Sequence, residues 1–217
     1  MNALQPTTRQ RCPHCARALK TCICALAVPI AHCLEVLILM HPLEVHEAKG
    51  TGHLLHACLP HSRLLIGERF EAGLLHQALH APWEPGARPR HSLLLYPETD
   101  VQNTSLGLIQ PPALPAPWPC QPEVLRLVVL DGTWRKSRKM LFINPGLQSL
   151  PRLALSETPA SAYAIRKAHA PGQLSSFEAT ALALARLQAW PPDAAPVRQL
   201  AQVFAAFIQS QQRQRSA

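Results

Sequence analysis

The stretch LRLVVLDGTW, residues 125–134, decides the fold prediction. Residues 125–130 are almost continuously apolar, which is typical of a central strand in a parallel sheet that is buried on both faces. Ligands of open α/β sheets bind beyond the carboxyl ends of such strands. Asp131, Thr133 and Trp134 therefore stand where an active site is expected. The alternative is a strand that ends in an Asp turn, with the indole packed on the sheet.

Apolar runs alternate with helical patterns along the rest of the chain. Residues 34–40 (LEVLILM) and 92–96 (SLLLY) predict two more buried strands, each followed closely by a proline that stops a regular ladder. Two shorter strands are predicted at residues 63–66 and 152–155. Helices are predicted at residues 53–59, 70–79, 134–142, 175–190 and 197–209. This alternation predicts an α/β fold with a mostly parallel central sheet flanked by helices.

Length and charge limit the class of protein. A chain of 217 residues predicts one main domain with a small appendage. The net charge of +8 favours a polyanionic partner such as nucleic acid, although solubility alone also explains a surplus of this size. The sequence shows no secretory signal and no apolar run near the ~18 residues that span a bilayer. We therefore expect a cytoplasmic protein that does not associate with a membrane. No obligate protein partner is evident.

Four of the seven cysteines stand close together at the N-terminal end: Cys12, Cys15, Cys22 and Cys24. Paired cysteines at this spacing predict one tetrahedral Zn²⁺, which is structural because four thiolates leave no open position. His14 is an alternative ligand, and unliganded thiols in a mobile tail are the alternative to a metal site. The predicted organisation is a flexible N-terminus at 1–11, a zinc-binding segment at 12–30 and a catalytic α/β domain at 31–217.

Six motifs in order resemble the DTW-domain family: CxxC-x6-CxC, HPLEVHEAKGTGHLL, LLLYP, LVVLDGTWRKSRKM, SAYAIRKA and QLSSFEATALAL. The resemblance runs from residue 12 to about residue 190, and residues 131–134 match the Asp-x-Thr-Trp motif of the family. Many members have Asn-Thr-Gly where this chain has Gly50-Thr51-Gly52. Gly50 either lacks a side-chain contact that the Asn makes, or takes the same left-handed turn more easily.

The resemblance implies a tRNA-uridine aminocarboxypropyltransferase of the bacterial type with a SPOUT-like knotted core. Such enzymes move the 3-amino-3-carboxypropyl group of S-adenosylmethionine (SAM) to N3 of a tRNA uridine and release methylthioadenosine. Two alternatives stay open: a SAM-dependent RNA methyltransferase of SPOUT-like fold, and a non-catalytic, zinc-stabilised RNA-binding protein.

Three residues of the motif are the expected catalytic group. Asp131 is the candidate base for the uridine N3 proton, or an electrostatic anchor for the donor. Because an exposed Asp is a poor base near neutral pH, we expect it to be buried. Trp134 is expected to form an apolar wall whose ring attracts the sulfonium, or to pack in the core. Thr133 either contacts the donor or caps the following helix.

The wider predicted site has a donor-binding and an RNA-binding part. Beside the three catalytic residues, the donor contacts are expected from His41, Thr51, Tyr96, Leu130, Tyr163, Arg166, Ser176 and Glu178. A capping box is the simplest interpretation of Ser175 and Glu178. For Arg166, a contact to an RNA phosphate and a surface salt bridge are alternatives of equal weight to a donor carboxylate. Contacts to the tRNA backbone are expected from Arg135, Lys136, Arg138, Lys139, Arg88 and Arg90, and a solvated basic face is the alternative.

Overall fold

A computed structural model of the chain shows an α/β fold with a single sheet. The residues that it describes are 10–98, 109–118, 121–156 and 174–216. The strands are β1 (Glu35–Met40), β2 (Ser62–Ile66), β3 (His91–Leu95), β4 (Leu125–Asp131) and β5 (Arg152–Leu153). The helices are α1 (Gly52–Cys58), α2 (Ala72–His80), α3 (Trp134–Ile143), α4 (Pro145–Gln148), α5 (Ser176–Leu187) and α6 (Ala195–Ser216).

The five strands are all parallel and lie in the order β2-β1-β4-β3-β5. The prediction of a mostly parallel sheet is therefore confirmed. Every residue of β1 and β4 is buried, as expected for neighbouring strands in the interior of the sheet. Met40 pairs with Asp131, so the two central strands end side by side. We call this end of the sheet, where all strands finish, the carboxyl edge.

Two layers of helices cover the two faces of the sheet. Successive side chains of a strand point to opposite faces, so an apolar strand presents an apolar surface on each face. Val36 and Ile38 of β1 belong to the apolar cluster that includes residues of α1, α5 and α6. Leu37 and Leu39 belong to the second cluster, with residues of α2, α3 and α4. Each leucine that is fully buried in these clusters stabilises the fold by roughly 1.5–3 kcal/mol. The sheet therefore forms the middle layer of an α/β/α sandwich.

The elements differ from the predicted ones at a few places. Helix α4 was not predicted, and α5 ends at Leu187 although the pattern predicts it to residue 190. Ala189 has a positive φ of 49°, which is incompatible with continuing the helix. Among the described residues, no helix is both long and apolar enough to cross a membrane. The knotted core stays a prediction, since residues 157–173 lie outside the described part of the chain.

A buried ion pair joins the two central strands near their amino ends. Arg126 of β4 is fully buried and donates a hydrogen bond from Nε to Glu35 Oε2 at 2.7 Å, and its Nη2 lies 2.6 Å from the same oxygen. The same guanidinium donates to the carbonyl oxygens of Ala78 and Ala81, both at 2.8 Å, and lies 4.5 Å from the centroid of the Trp83 ring. Because every nitrogen of Arg126 has a partner, this charge is held inside the protein without an unsatisfied donor.

Replacement of Glu35 by Gln is expected to lower the free energy of unfolding by about 3–5 kcal/mol, since it leaves the Arg126 charge buried and uncompensated. Urea unfolding of the purified variant measures this change. Glu84→Gln, at an exposed position, is the matched control and is expected to be neutral. Equal stability of Glu35→Gln and wild-type protein would show that the pair contributes nothing.

Candidate functional site

The carboxyl edge brings together residues that are distant in the sequence. Asp131 ends β4, His41 follows β1 and Tyr96 follows β3. The backbone N–H of His41 donates to the carbonyl oxygen of Asp131 at 2.9 Å, so the two central strands stay paired to their ends. The prediction that the Asp-Gly-Thr-Trp motif follows a buried central strand is confirmed.

The Asp131 side chain is buried, with 3% of its surface exposed, as its expected role requires. It lies against Gly52, the first residue of α1. A Cβ atom at Gly52 would come within 2.7 Å of Asp131 Cγ and of Met40 Cε, and closer still to Asp131 Oδ2. Only glycine permits this approach. The partial positive charge at the N-terminus of a helix stabilises a carboxylate placed there.

Thr133 and Trp134 begin helix α3. The Thr133 hydroxyl caps the helix by accepting from the backbone N–H of Lys136 at 3.3 Å, which agrees with the capping interpretation. Trp134 is 43% exposed and is therefore not a core residue. Its ring makes an edge contact with the Tyr96 ring, with 6.1 Å between the centroids. An indole that remains accessible at the carboxyl edge is suited to contact a ligand.

His41 is buried, and both nitrogens of its ring are engaged. Nδ1 accepts from the backbone N–H of Leu43 at 3.1 Å, so Nε2 carries the proton that it donates to Glu68 Oε1 at 3.0 Å. The hydrogen bond from His41, and next that from Lys139, lower the pKa of Glu68. The imidazole thus ties the loop after β1 to the loop after β2, and a contact from His41 to a donor stays a prediction.

The basic residues of α3 fall into two pairs. Lys136 Nζ lies 2.8 Å from Glu44 Oε1, and Lys139 Nζ lies 2.9 Å from Glu68 Oε1, so both lysines hold loops of the carboxyl edge. Arg135 and Arg138 are exposed, and among the described residues neither has an ion-pair partner. These two arginines are the part of the predicted RNA surface that is available to an anion.

Arg88 and Arg90 precede β3 and therefore lie toward the opposite end of the sheet from Trp134. Arg90 contacts Glu35 at 3.3 Å and donates to the carbonyl oxygen of Cys33 at 2.7 Å, both near the start of β1. The structure does not bring these two arginines next to the basic residues of α3. Their role in RNA binding stays a prediction.

The other predicted donor contacts are spread over both faces of the sheet. Thr51 is buried and precedes α1, where its side chain makes no capping hydrogen bond. Leu130 packs in the cluster of α2, α3 and α4. Ser176 and Glu178 begin α5, where Glu178 completes a capping box with Ser175. Tyr163 and Arg166 lie outside the described residues.

A buried arginine that sequence analysis does not single out lies at this edge. Arg152 of β5 is 6% exposed, and its guanidinium carbon lies 5.4 Å from the centroid of the Tyr96 ring. Burial lowers the pKa of Arg152. A charged residue in the short run RLAL is the only signal in the sequence, and it does not reveal burial.

The four N-terminal cysteines meet the requirements of a zinc site. Their sulfur atoms all lie within 4.8 Å of one another, and the pairs Cys12–Cys24 and Cys15–Cys22 are 3.6 and 3.8 Å apart. A tetrahedral ion with Zn–S bonds of about 2.3 Å requires sulfurs about 3.8 Å apart. Backbone hydrogen bonds from Cys15 and His14 lower the pKa of the Cys12 thiol to about 6, whereas burial raises the pKa of the Cys24 thiol. His14 is exposed and does not join the group.

Arg17 connects the cysteine segment to the candidate site. It is buried and donates from Nη1 and Nη2 to the carbonyl oxygens of Ala48 and Gly50, both at 2.6 Å, while its guanidinium carbon lies 5.3 Å from the Phe207 ring centroid. These bonds hold the loop that precedes Gly52. Gly50 does not have a positive φ, so a left-handed turn does not explain why this chain lacks the Asn.

Loss of one cysteine ligand is expected to loosen this connection. Cys15→Ser should reduce the zinc content below one per chain and lower the melting temperature by about 5 °C or more, because the free energy of metal binding contributes to folding. Metal analysis and thermal unfolding measure both effects. Cys33→Ser is the matched control, since Cys33 is outside the cluster. Wild-type protein that is fully folded and metal-free would contradict the zinc assignment.

Comparison with known proteins identifies the family of this chain. The model of the DTW-domain family matches residues 9–212. The chain is 27% identical over 184 residues to tRNA-uridine aminocarboxypropyltransferase 2 of Macaca fascicularis and 28% identical over 184 residues to that of Mus musculus. Each alignment covers 83% of this chain and 57% of the relative. The protein of the same name from Drosophila melanogaster is 28% identical over 195 residues, which is 88% of this chain and 72% of the relative.

The chain thus spans little more than half the length of the two mammalian relatives that it matches. No solved structure matches it. The relatives named above are animal proteins, so the bacterial type and the SPOUT-like core stay predictions. Because the family model covers nearly the whole chain, the protein belongs to the DTW-domain family.

Proposed function

We propose that this chain is a tRNA-uridine aminocarboxypropyltransferase that takes its group from SAM. The observation that carries the proposal is the pair of a buried carboxylate, Asp131, and an accessible indole, Trp134, in the motif of the family at the carboxyl edge. The names of the three relatives support the same reaction. The four-cysteine segment would hold a structural zinc ion, and clustered reduced cysteines favour the cytoplasm as the compartment.

The reaction is an in-line displacement at the carbon that joins the carboxypropyl chain to the sulfonium. The uridine N3 proton passes to Asp131, and the nitrogen electron pair forms the new N–C bond. The C–S bond breaks with its electron pair on sulfur, so methylthioadenosine leaves as a neutral product. Because the sulfonium is already a good leaving group, the enzyme mainly orients the reactants and removes the proton.

The described residues divide these tasks between them. Burial of Asp131 against the first turn of α1 keeps water from its carboxylate. The exposed face of Trp134 can attract the sulfonium and at the same time cover the methyl group that must not react. Arg135 and Arg138, one and four residues beyond Trp134, would contact tRNA phosphates beside the reacting base.

Mass spectrometry of the products tests the proposal. Purified protein is incubated with SAM and unmodified tRNA, and both the nucleosides and the spent donor are analysed. Aminocarboxypropyluridine together with methylthioadenosine is the expected result. A methylated nucleoside with S-adenosylhomocysteine would overturn the chemistry and favour a methyltransferase. Binding of tRNA without any product would favour the non-catalytic RNA-binding protein.

A further inference from the structure

The guanidinium of Arg152 is buried without the hydrogen bonds that a buried charge requires. Nε, Nη1 and Nη2 of Arg152 have almost no accessible surface, and within the described ranges no atom accepts a hydrogen bond from any of them. The face of the Tyr96 ring partly compensates the charge, but it offers no acceptor in the plane of the guanidinium. A buried donor left unsatisfied destabilises the folded state.

Arg126 shows that this fold satisfies a buried arginine where the role is structural. It lies two strands from Arg152 in the same sheet, and each of its nitrogens donates to a carboxylate or carbonyl oxygen. The contrast indicates that Arg152 is kept for an acceptor that the described residues do not supply. The planar fork of Arg matches a carboxylate, to which it donates two parallel hydrogen bonds.

The neighbours of Arg152 fit one end of the donor. Arg152 pairs with Leu94 near the end of β3, on the same face of the sheet as Tyr96. The Tyr96 ring contacts both Arg152 and the exposed Trp134. Trp134, Tyr96 and Arg152 therefore form a series of contacts from an indole to a cation. In SAM, the sulfonium that an indole attracts is joined by a short carbon chain to the carboxylate that a guanidinium binds.

We propose that Arg152 binds the carboxylate of the methionine part of SAM, an inference that rests on the proposed transfer reaction. A phosphate of the tRNA backbone carries the same charge, but polymer phosphates bind exposed cations such as Arg135 and Arg138. Of the whole Arg152 residue 6% is exposed, and its three nitrogens have almost no accessible surface, so the site suits the compact end group of a small ligand and not a polymer backbone.

Removal of the carboxylate from SAM and removal of the guanidinium from the protein should lower the binding affinity by the same factor. By titration calorimetry, wild-type protein is expected to bind SAM about 10- to 100-fold more tightly than decarboxylated SAM. Arg152→Met should bind both ligands with the affinity that wild-type protein has for the decarboxylated one. Its affinity for tRNA should not change.

Stability gives a second readout that a structural arginine would not produce. Unliganded Arg152→Met is expected to melt at or above the wild-type temperature, because the substitution removes an unsatisfied buried charge. Arg126→Met, the matched control, should melt lower and still prefer SAM to the decarboxylated ligand. Three results would overturn the proposal. Arg152→Met could lose affinity for SAM and for the decarboxylated ligand equally, could keep the wild-type preference for SAM, or could lose affinity for tRNA alone.

The same data separate this inference from the proposed function. If wild-type protein modifies tRNA and Arg152→Met still prefers SAM to the decarboxylated ligand, the transfer reaction is supported and the role of Arg152 is rejected. Loss of the preference in Arg152→Met, without any transfer by wild-type protein, would retain the carboxylate site and reject the reaction. Wild-type protein that binds neither ligand would reject both.

Discussion

Asp131→Asn is expected to lower the rate of tRNA modification by about 10²- to 10⁴-fold, the range in which a positioned general base contributes to catalysis. The amide has the shape of the carboxylate, so the packing against Gly52 is retained, but it cannot accept the uridine N3 proton. Single-turnover kinetics with saturating SAM measure the rate, and calorimetry measures the affinity for SAM. We expect that affinity to change by no more than about threefold, because the lost step is chemical.

The pH dependence distinguishes a base from an anchor. At high pH uridine N3 ionises without help, so the deficit of Asp131→Asn should become smaller as the pH rises. Asp193→Asn, at an exposed position, is the control and should match wild-type protein. If Asp131→Asn binds SAM weakly and its loss of rate is the same at every pH, Asp131 is an electrostatic anchor and not the base.

Gly52→Ala is expected to damage both stability and activity, although Ala normally forms helices better than Gly by about 1 kcal/mol. The added methyl group would overlap with the Asp131 carboxylate and approach the end of the Met40 side chain. Overpacking of this kind costs about 1–3 kcal/mol. Displacement of Asp131 should slow the reaction by about 100-fold, because a shift of roughly 1 Å has that effect on a reacting group.

A glycine in another helix gives the matched control. Gly146→Ala in α4 would place its Cβ 3.5 Å from the nearest atom of Leu75, an ordinary contact, and is expected to leave the melting temperature unchanged. In the Asp131→Ala background the overlap is largely relieved, so Gly52→Ala should destabilise much less there than in wild-type protein. If Gly52→Ala is as harmless as Gly146→Ala, the close approach of Gly52 to Asp131 does not exist.

The apolar runs were sufficient to predict β1 and β4, because full burial on both faces leaves a continuous apolar pattern. Residues 125–130 and the motif that follows therefore placed Asp131 correctly at the end of a central strand. The strand order was not predictable, since pairing depends on contacts between distant segments. Helix α4 escaped prediction because four residues are too few to show a helical period.

Buried charged residues were the part of the site that the sequence did not reveal. Arg17 contacts a loop that lies more than thirty positions along the chain, and Arg152 contacts the ring of Tyr96, which follows another strand. A charged residue is exposed by default, so only the folded structure identifies these exceptions. The same holds for Gly52, whose importance comes from a carboxylate 79 positions later in the sequence.

The most direct test of the proposed reaction follows two carbons of one donor molecule. SAM labelled with ¹⁴C in its carboxyl group and with ³H in its methyl group is incubated with the protein and unmodified tRNA, and both labels are counted in the recovered tRNA. Transfer of the aminocarboxypropyl group predicts ¹⁴C in the tRNA and ³H only in methylthioadenosine. Recovery of ³H without ¹⁴C in the tRNA would show that the methyl group moves, and would contradict the proposed function.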